Sequence, residues 1–365
     1  MSPSPPILTK IILQPHFVQQ LCIKEWEQLI HQARAASLLP RLAVVLKEHG
    51  LFETVPQVAR RHLIGALNIL ERQQIAAANE VHYLRLAMSD AGLPLVLLKG
   101  MAYVAAEAPP GRARIFSDFD ILVPKHCLGQ VEQTMFDHGW RGDHHDAYDE
   151  RYYREWMHEL PPLMHRQRRS VLDIHHSITP ETARIKTDSS ALLERVVPSS
   201  RFSGVWTMQP ADIILHCTVH LFNEGEFERG LRDLFDLQDL VEYYLQEPDD
   251  WQQLHNRALE LGLQEPLAHG MKAIENQFSD YRTYAGPDAR WQQATSARSR
   301  FVDNLLHRVL IPPHESCETP MTALARLLLF IRGHAMRMPL RLLIPHLFRK
   351  WRKSMNLLRD PDAPV

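Results

Sequence analysis

The chain has 365 residues, 45% of them hydrophobic and 23% charged, with a formal net charge of −2. That length supports a large core divided among two or three subdomains, and the balance is that of an ordinary globular protein, not a disordered, collagenous or strongly basic chain. The four cysteines, Cys22, Cys127, Cys217 and Cys317, stand far apart without a CxxC pair, which excludes a disulfide framework and a structural zinc knuckle and fits a reducing compartment.

The N-terminal MSPSPPILTKIILQP lacks a cationic-then-apolar leader pattern, and no apolar run approaches the roughly 20 residues of a membrane span. A soluble, cytoplasmic protein is expected. Charge is uneven, however. Between Met321 and Val365 there are nine Lys and Arg against two Asp, so a basic segment follows an acidic body.

In chain order, residues 24–90 carry apolar positions at helical spacing, with Pro40 and Pro56 as boundaries. The texture changes at Ala91-Gly92. AGLPLVLLKG reads as a turn, a short strand and a helix start at Lys99-Gly100, with MAYVAAEA as that helix and Pro109-Pro110-Gly111 as its end. FSDFDILV then alternates acidic and apolar residues at the period of a strand, placing Asp118 and Asp120 on one face. PKHCLGQVEQTMFDHGW reads as a helix from Pro124 towards Gly139, and HELPPLMHRQRRSVLDIHH as two strands joined by a basic turn, the second holding Asp173. From Pro210 onward the pattern is helical again. The expected class is α+β, a small mixed sheet flanked by helical regions. The expected division is an N-terminal helical region over 1–90, an α/β core over 91–180, a C-terminal helical bundle over 181–320 and a basic amphipathic tail over 321–365.

Two like charges on one face of an apolar strand need compensation, because an unpaired buried carboxylate costs several kcal/mol. Should the strands of Asp118, Asp120 and Asp173 adjoin, the three acids converge, and the hard-oxygen cluster predicts Mg²⁺ or Mn²⁺. Such ions on a nucleoside triphosphate support phosphoryl or nucleotidyl transfer. Lys99 and Gly100 at the strand-to-helix turn offer backbone N–H groups and a cation to the phosphates, and Arg114, or Arg112, a further charge-assisted contact. The bland reading of each piece alone is structural: a strand DxD, a turn, and an Asp173 paired with a neighbour such as Arg169.

These motifs carry a resemblance. LPLVLLKGMAYVAAEAPPGRARIFSDFDILV resembles the nucleotidyltransferase superfamily, of DNA polymerase beta-like and kanamycin nucleotidyltransferase-like fold, whose hallmark is a Gly-containing strand–helix turn, an acid–apolar–acid strand and a later third carboxylate. More narrowly it is similar to bacterial uncharacterised nucleotidyltransferase family proteins, through AGLPLVLLKG, the phrase His158-Glu159-Leu160-Pro161-Pro162, the DxH strand at Asp173 and a helical histidine followed by LRDLFD. The likeness spans about residues 24–245 and is most specific over 95–123. It implies a metal-bound triphosphate attacked at its α-phosphate, Asp118 and Asp120 holding metal, Asp173 completing the site and taking the acceptor's proton, and Lys99, Gly100, Arg114 and His220 contacting the nucleotide. Two departures stand out: Gly100 is followed by Met101 where the superfamily has serine, so phosphate binding leans on backbone amides and Lys99, and His176 replaces an aromatic residue after DIH.

The expected partners are a nucleoside triphosphate and an acceptor hydroxyl on a small molecule, a protein or an RNA end. Two alternatives stand beside this reading, a non-catalytic nucleotide- or partner-binding relative and a small-molecule phosphotransferase. Of the remaining signals, His216 and His220 in HCTVH read as a helix-packing pair, since Cys217 stands where a zinc protease needs glutamate. Arg232, Asp233 and Asp236 suit a salt-bridged face or a cleft equally, and DHHDAYDE (143–150) reads as a solvated loop. The basic tail packs on the body, or makes weak contact with nucleic acid or an anionic membrane.

Overall fold

A computed structural model describes residues 6–142, 152–223, 225–281, 297–339 and 341–343. Four helices come first: α1 (Ile7–Leu13), α2 (Ile23–Ala35), α3 (Leu39–Glu48) and α4 (Gln57–Asp90). Pro40 lies in the first turn of α3 and Pro56 is the N-cap of α4, where a missing backbone N–H costs least. Along the 34 residues of α4 the buried positions Leu63, Ala66, Leu70, Ala77, Val81, Leu84 and Met88 recur at helical spacing. Gly92, at φ +65°, supplies the left-handed residue that ends it.

The sheet is mixed and seven-stranded, β1 (Leu95–Leu97), β2 (Phe119–Leu122), β3 (Trp140–Gly142), β4 (Leu163–His165), β5 (Val171–His175), β6 (Val197–Pro198) and β7 (Val205–Thr207), in the order β3-β4-β5-β2-β1-β7-β6. β2 runs parallel to β5 and β1 parallel to β7, while the other neighbours are antiparallel. Helices α5 (Lys99–Ala105) and α6 (Leu128–Asp137) lie between the first strands. Two strands, β6 and β7, fall beyond the 91–180 stretch; at two and three residues they are too short to show a period, and Pro198 is tolerated because β6 is the edge.

Strand alternation sorts the sheet's two faces. Leu95, Leu97, Phe119, Ile121, Leu172 and Ile174 join the C-terminal half of α4 in one core. Val96 and Leu122 point the other way, into a second and larger core. That core also receives helices α7 (Ser189–Leu193), α8 (Pro210–Asn223), α9 (Gly230–Tyr244), α10 (Pro248–Leu261), α11 (Gln264–Phe278), α12 (Ala297–Val309) and α13 (Pro320–Arg337). Helices α1 to α3 contribute Leu8, Leu29 and Leu42 to it, so the two ends of the chain close over the same sheet face. Asp120 and Asp173 belong to that face. The architecture is α+β, a mixed sheet between helical layers. No helix among the described residues is long and apolar enough to cross a membrane. The loop at 143–150 and the tail from 344 onward, with its expected nucleic-acid or membrane contact, lie outside the described residues.

Candidate active site

The parallel register of β2 and β5 pairs Phe119 with Leu172, Asp120 with Asp173 and Leu122 with His175. Two-residue alternation then sends Asp120, Asp173 and His175 to the same side. Single ligand atoms from these three lie within 4.8 Å of one another. Asp118, one step before β2 and two residues from Asp120, is half-buried and accepts a hydrogen bond from Ser117 Oγ at 2.9 Å.

The three acids sit in three electrostatic settings. Asp120 is 3% exposed, and its Oδ1 receives both Lys99 Nζ at 2.7 Å and His175 Nε2 at 2.8 Å. Burial alone would raise its pKa, yet Lys99 and His175 hold the carboxyl well below the usual carboxylate range. For Asp173 the pull of His175 and Lys99 is too weak to offset burial and its acidic neighbours. Its Oδ1 is buried without a hydrogen-bond partner among the described residues. Burial first, then the negative charges of Asp120 and Glu159, push its pKa from 3.8 to about 7. A carboxyl poised near neutrality beside Asp120 is a candidate general base, although Asp173 does not itself line the cavity that Asp120 borders.

Local backbone geometry delivers these groups. Leu97 pairs with Ile121 in antiparallel register and Leu98 N–H donates to the Asp120 carbonyl at 2.9 Å, so Lys99 emerges beside Asp120. Lys99 occupies φ +47°, a left-handed conformation that costs a non-glycine residue on the order of 1–3 kcal/mol and clusters at functional sites. Gly100 follows because a Cβ there would stand 2.8 Å from Arg114 Nε and 3.0 Å from the Phe116 ring. The phrase HELPP reaches the site through an antiparallel bridge between Glu159 and His175, with Leu160 N–H donating to the Ile174 carbonyl at 2.9 Å. His175 is thereby held between two carboxylates, Asp120 on Nε2 and Glu159 on Nδ1 at 3.3 Å. Burial disfavours its charge, but Glu159 and Asp120 outweigh it and raise the pKa above 6.5.

Lys99, Gly100, Arg114, Asp118, Asp120 and His220 all line one cavity of about 360 Å³. Arg114 enters it with its charge already met, since Nη1 donates to Asp233 Oδ1 at 3.4 Å and to Asp236 Oδ2; despite burial these carboxylates raise its pKa further. Asp236 also accepts from Arg41 Nη2 at 2.7 Å, and Arg232 grips Asp233 through Nε at 2.9 Å and Nη2 at 2.6 Å. The LRDLFD phrase is therefore a buried ion-pair hub fixing α9 to α3 and to the loop before β2, with Arg232 and Asp233 reaching the cavity wall. One turn before His220, buried His216 has its pKa pushed well below 6.5, first by burial and then by Lys99 and His220; it does not join the ligand cluster of Asp120, Asp173 and His175. Sequence reasoning passed over Glu159 and His175 as site residues, as well as the cavity-lining Glu226, Glu228 and Arg229. The only local signal for the first two was their place in HELPP and DIHH.

A family model described as an uncharacterised nucleotidyltransferase matches residues 24–279. The chain belongs to that family. No curated protein and no solved structure matches it significantly. Membership supports a transferase acting on nucleotides at a general level, and the site has matching chemistry. For this nucleotidyltransferase the fit of a hard divalent cation rests on the donors themselves: carboxylate oxygens from paired strands, one of them buried and unpartnered at Asp173.

Proposed function

We propose that this nucleotidyltransferase family member moves a nucleoside monophosphate from a nucleoside triphosphate to an acceptor hydroxyl, releasing pyrophosphate. The observation that carries the reading is the in-register pairing of Asp120 with Asp173, the latter presenting a buried oxygen with no partner. Asp118, Asp120 and Asp173 would hold Mg²⁺ or Mn²⁺, which when bound supplies charge compensation for the triphosphate and for the displacement at phosphorus. Lys99, Gly100, Arg114 and His220 line the cavity that receives the nucleotide. Lys99 keeps Asp120 ionised at every working pH. Asp173 accepts the proton of the acceptor hydroxyl as its oxygen bonds to the α-phosphorus and the bond to the pyrophosphate oxygen breaks. Carrying a pKa of about 7 even with His175 and Lys99 nearby, Asp173 is basic enough to take that proton, and a divalent cation bound there would drive it to the carboxylate form.

The test is turnover of α-labelled and γ-labelled triphosphates with Mg²⁺ or Mn²⁺ across a pool of acceptors. Label transfer from the α-position with pyrophosphate release, lost in Asp120→Asn and Asp173→Asn, is expected. Diphosphate as product would instead make the protein a phosphotransferase, and tight nucleotide binding without turnover on any acceptor would make it a binding module.

A further inference from the structure

A second cavity, of about 530 Å³, opens between the N-terminal helices and the loop before β2 and shares Ile115, Phe116, Ser117, Arg229 and Arg232 with the nucleotide cavity. Its volume is in the ordinary range for a small-molecule site. Four arginines line it, Arg34, Arg61, Arg229 and Arg232, and no aspartate or glutamate does among the described residues. Arg232 is neutralised by Asp233. Arg34 donates to His62 Nδ1 at 3.2 Å, a neutral acceptor that leaves the positive charge uncancelled. Arg61 and Arg229 have no carboxylate partner among the described residues. The remaining wall is apolar, with Leu39, Ala66, Phe116 and Ile69, the last 52% exposed to solvent. Gly65 also faces this space, and a Cβ there would meet nothing within 4 Å. A glycine in the middle of a 34-residue helix is costly by propensity; at this position it enlarges the cavity.

We propose that this cavity is the acceptor pocket, and that the acceptor is a small hydroxyl compound with an apolar body and an anionic group, a carboxylate or a phosphate. The inference rests on the transferase reading for the word acceptor, but the pocket and its charge preference stand on their own. A nucleobase would also fill an apolar space of this size, yet it brings no negative charge to Arg34, Arg61 and Arg229, none of which has a carboxylate partner among the described residues. The wall shared at Ile115–Ser117 adjoins Asp118, so a hydroxyl at the inner end of the pocket would lie towards the cavity that Asp118 and Asp120 border, with the anionic group among the arginines.

The test uses the full chain and ligand-observed NMR saturation transfer, with para-hydroxyphenylacetate and para-hydroxyphenyl phosphate as anionic probes and tyramine as a cation of the same shape. Saturable binding of at least one anion and at least tenfold weaker binding of tyramine are expected. Gly65→Leu, which fills the pocket with a better helix former, should weaken the anion at least tenfold, and Arg61→Ala several-fold. A non-hydrolysable triphosphate with Mg²⁺ should leave the probe bound. The proposal is overturned if neither anion binds saturably, if tyramine binds as well, if Gly65→Leu changes nothing, or if the triphosphate displaces the probe, which would assign the space to the nucleoside. Asp120→Asn should keep probe binding; an absence of transfer activity in the parent protein alongside retained probe binding refutes the transferase reading and not the pocket.

Discussion

Replacing Asp173 by asparagine should make the protein more stable while abolishing its activity. The carboxyl is pushed from 3.8 to about 7 by burial and by the charges of Asp120 and Glu159. A group whose folded-state pKa is raised keeps its proton in the native state while the unfolded chain releases it. Native stability therefore falls as pH rises from about 4 and levels off above about 7. The difference between 3.8 and about 7 corresponds to at most about 4 kcal/mol, and partial solvent access brings the expectation to about 2–4 kcal/mol. Asparagine is nearly isosteric and carries no charge to desolvate. Urea unfolding of the two proteins in chelator should show no gap near pH 4 and a gap of about 2–4 kcal/mol in favour of Asp173→Asn at pH 8. Groups common to both proteins, such as His175, cancel in the difference to first order. Excess Mg²⁺ should close the gap by stabilising only the parent, since a ligand that binds the native state adds to its stability. A variant that is equally or less stable at pH 8 would refute the reasoning, for it would mean that Asp173 is already compensated.

The neighbouring acids should behave differently. Asp120→Ala removes the partner of half-buried Lys99 and buried His175 and should cost about 3 kcal/mol in a denaturant titration, along with all turnover. Asp118→Asn touches only Ser117 and should shift unfolding by under about 0.5 kcal/mol while lowering turnover at least a hundredfold in the transfer assay. Asp236→Asn weakens a hub shared by Arg41 and Arg114, each of which keeps a second carboxylate in Asp239 and Asp233; a loss of about 3 kcal/mol, read by thermal unfolding, is expected.

What could be read from the chain beforehand was whatever is encoded at short range. FDIL alternates at the strand period, and HELPPLMHRQRRSVLDIHH contains both β4 and β5 with their basic turn. Proline positions marked the starts of α3 and α4 because their cause is local, a missing donor. The parallel register that brings Asp173 to Asp120 is not local. It is set by packing of two strands whose residues are about fifty positions apart, and nothing in either strand specifies its neighbour. The same holds for Arg114, whose charge suggested phosphate but is met by Asp233 and Asp236 from a helix more than a hundred residues downstream. Glu159 was hidden for a related reason: its role depends on a single bridge to His175.

The electrostatic arrangement also answers why an apolar strand can carry two acids two residues apart. Lys99 supplies a positive charge and His175 a hydrogen bond to one oxygen of Asp120, Asp118 keeps partial access to water, and Asp173 is left to bear the repulsion with its pKa raised to about 7. The protein thus folds without needing every acid paired, and the residual cost is concentrated on the one carboxyl that the proposed chemistry uses as a base. On the proposed chemistry, the imbalance that destabilises the native state above pH 7 belongs to the carboxyl that would act as base, so Asp173→Asn should remove the cost and the base together.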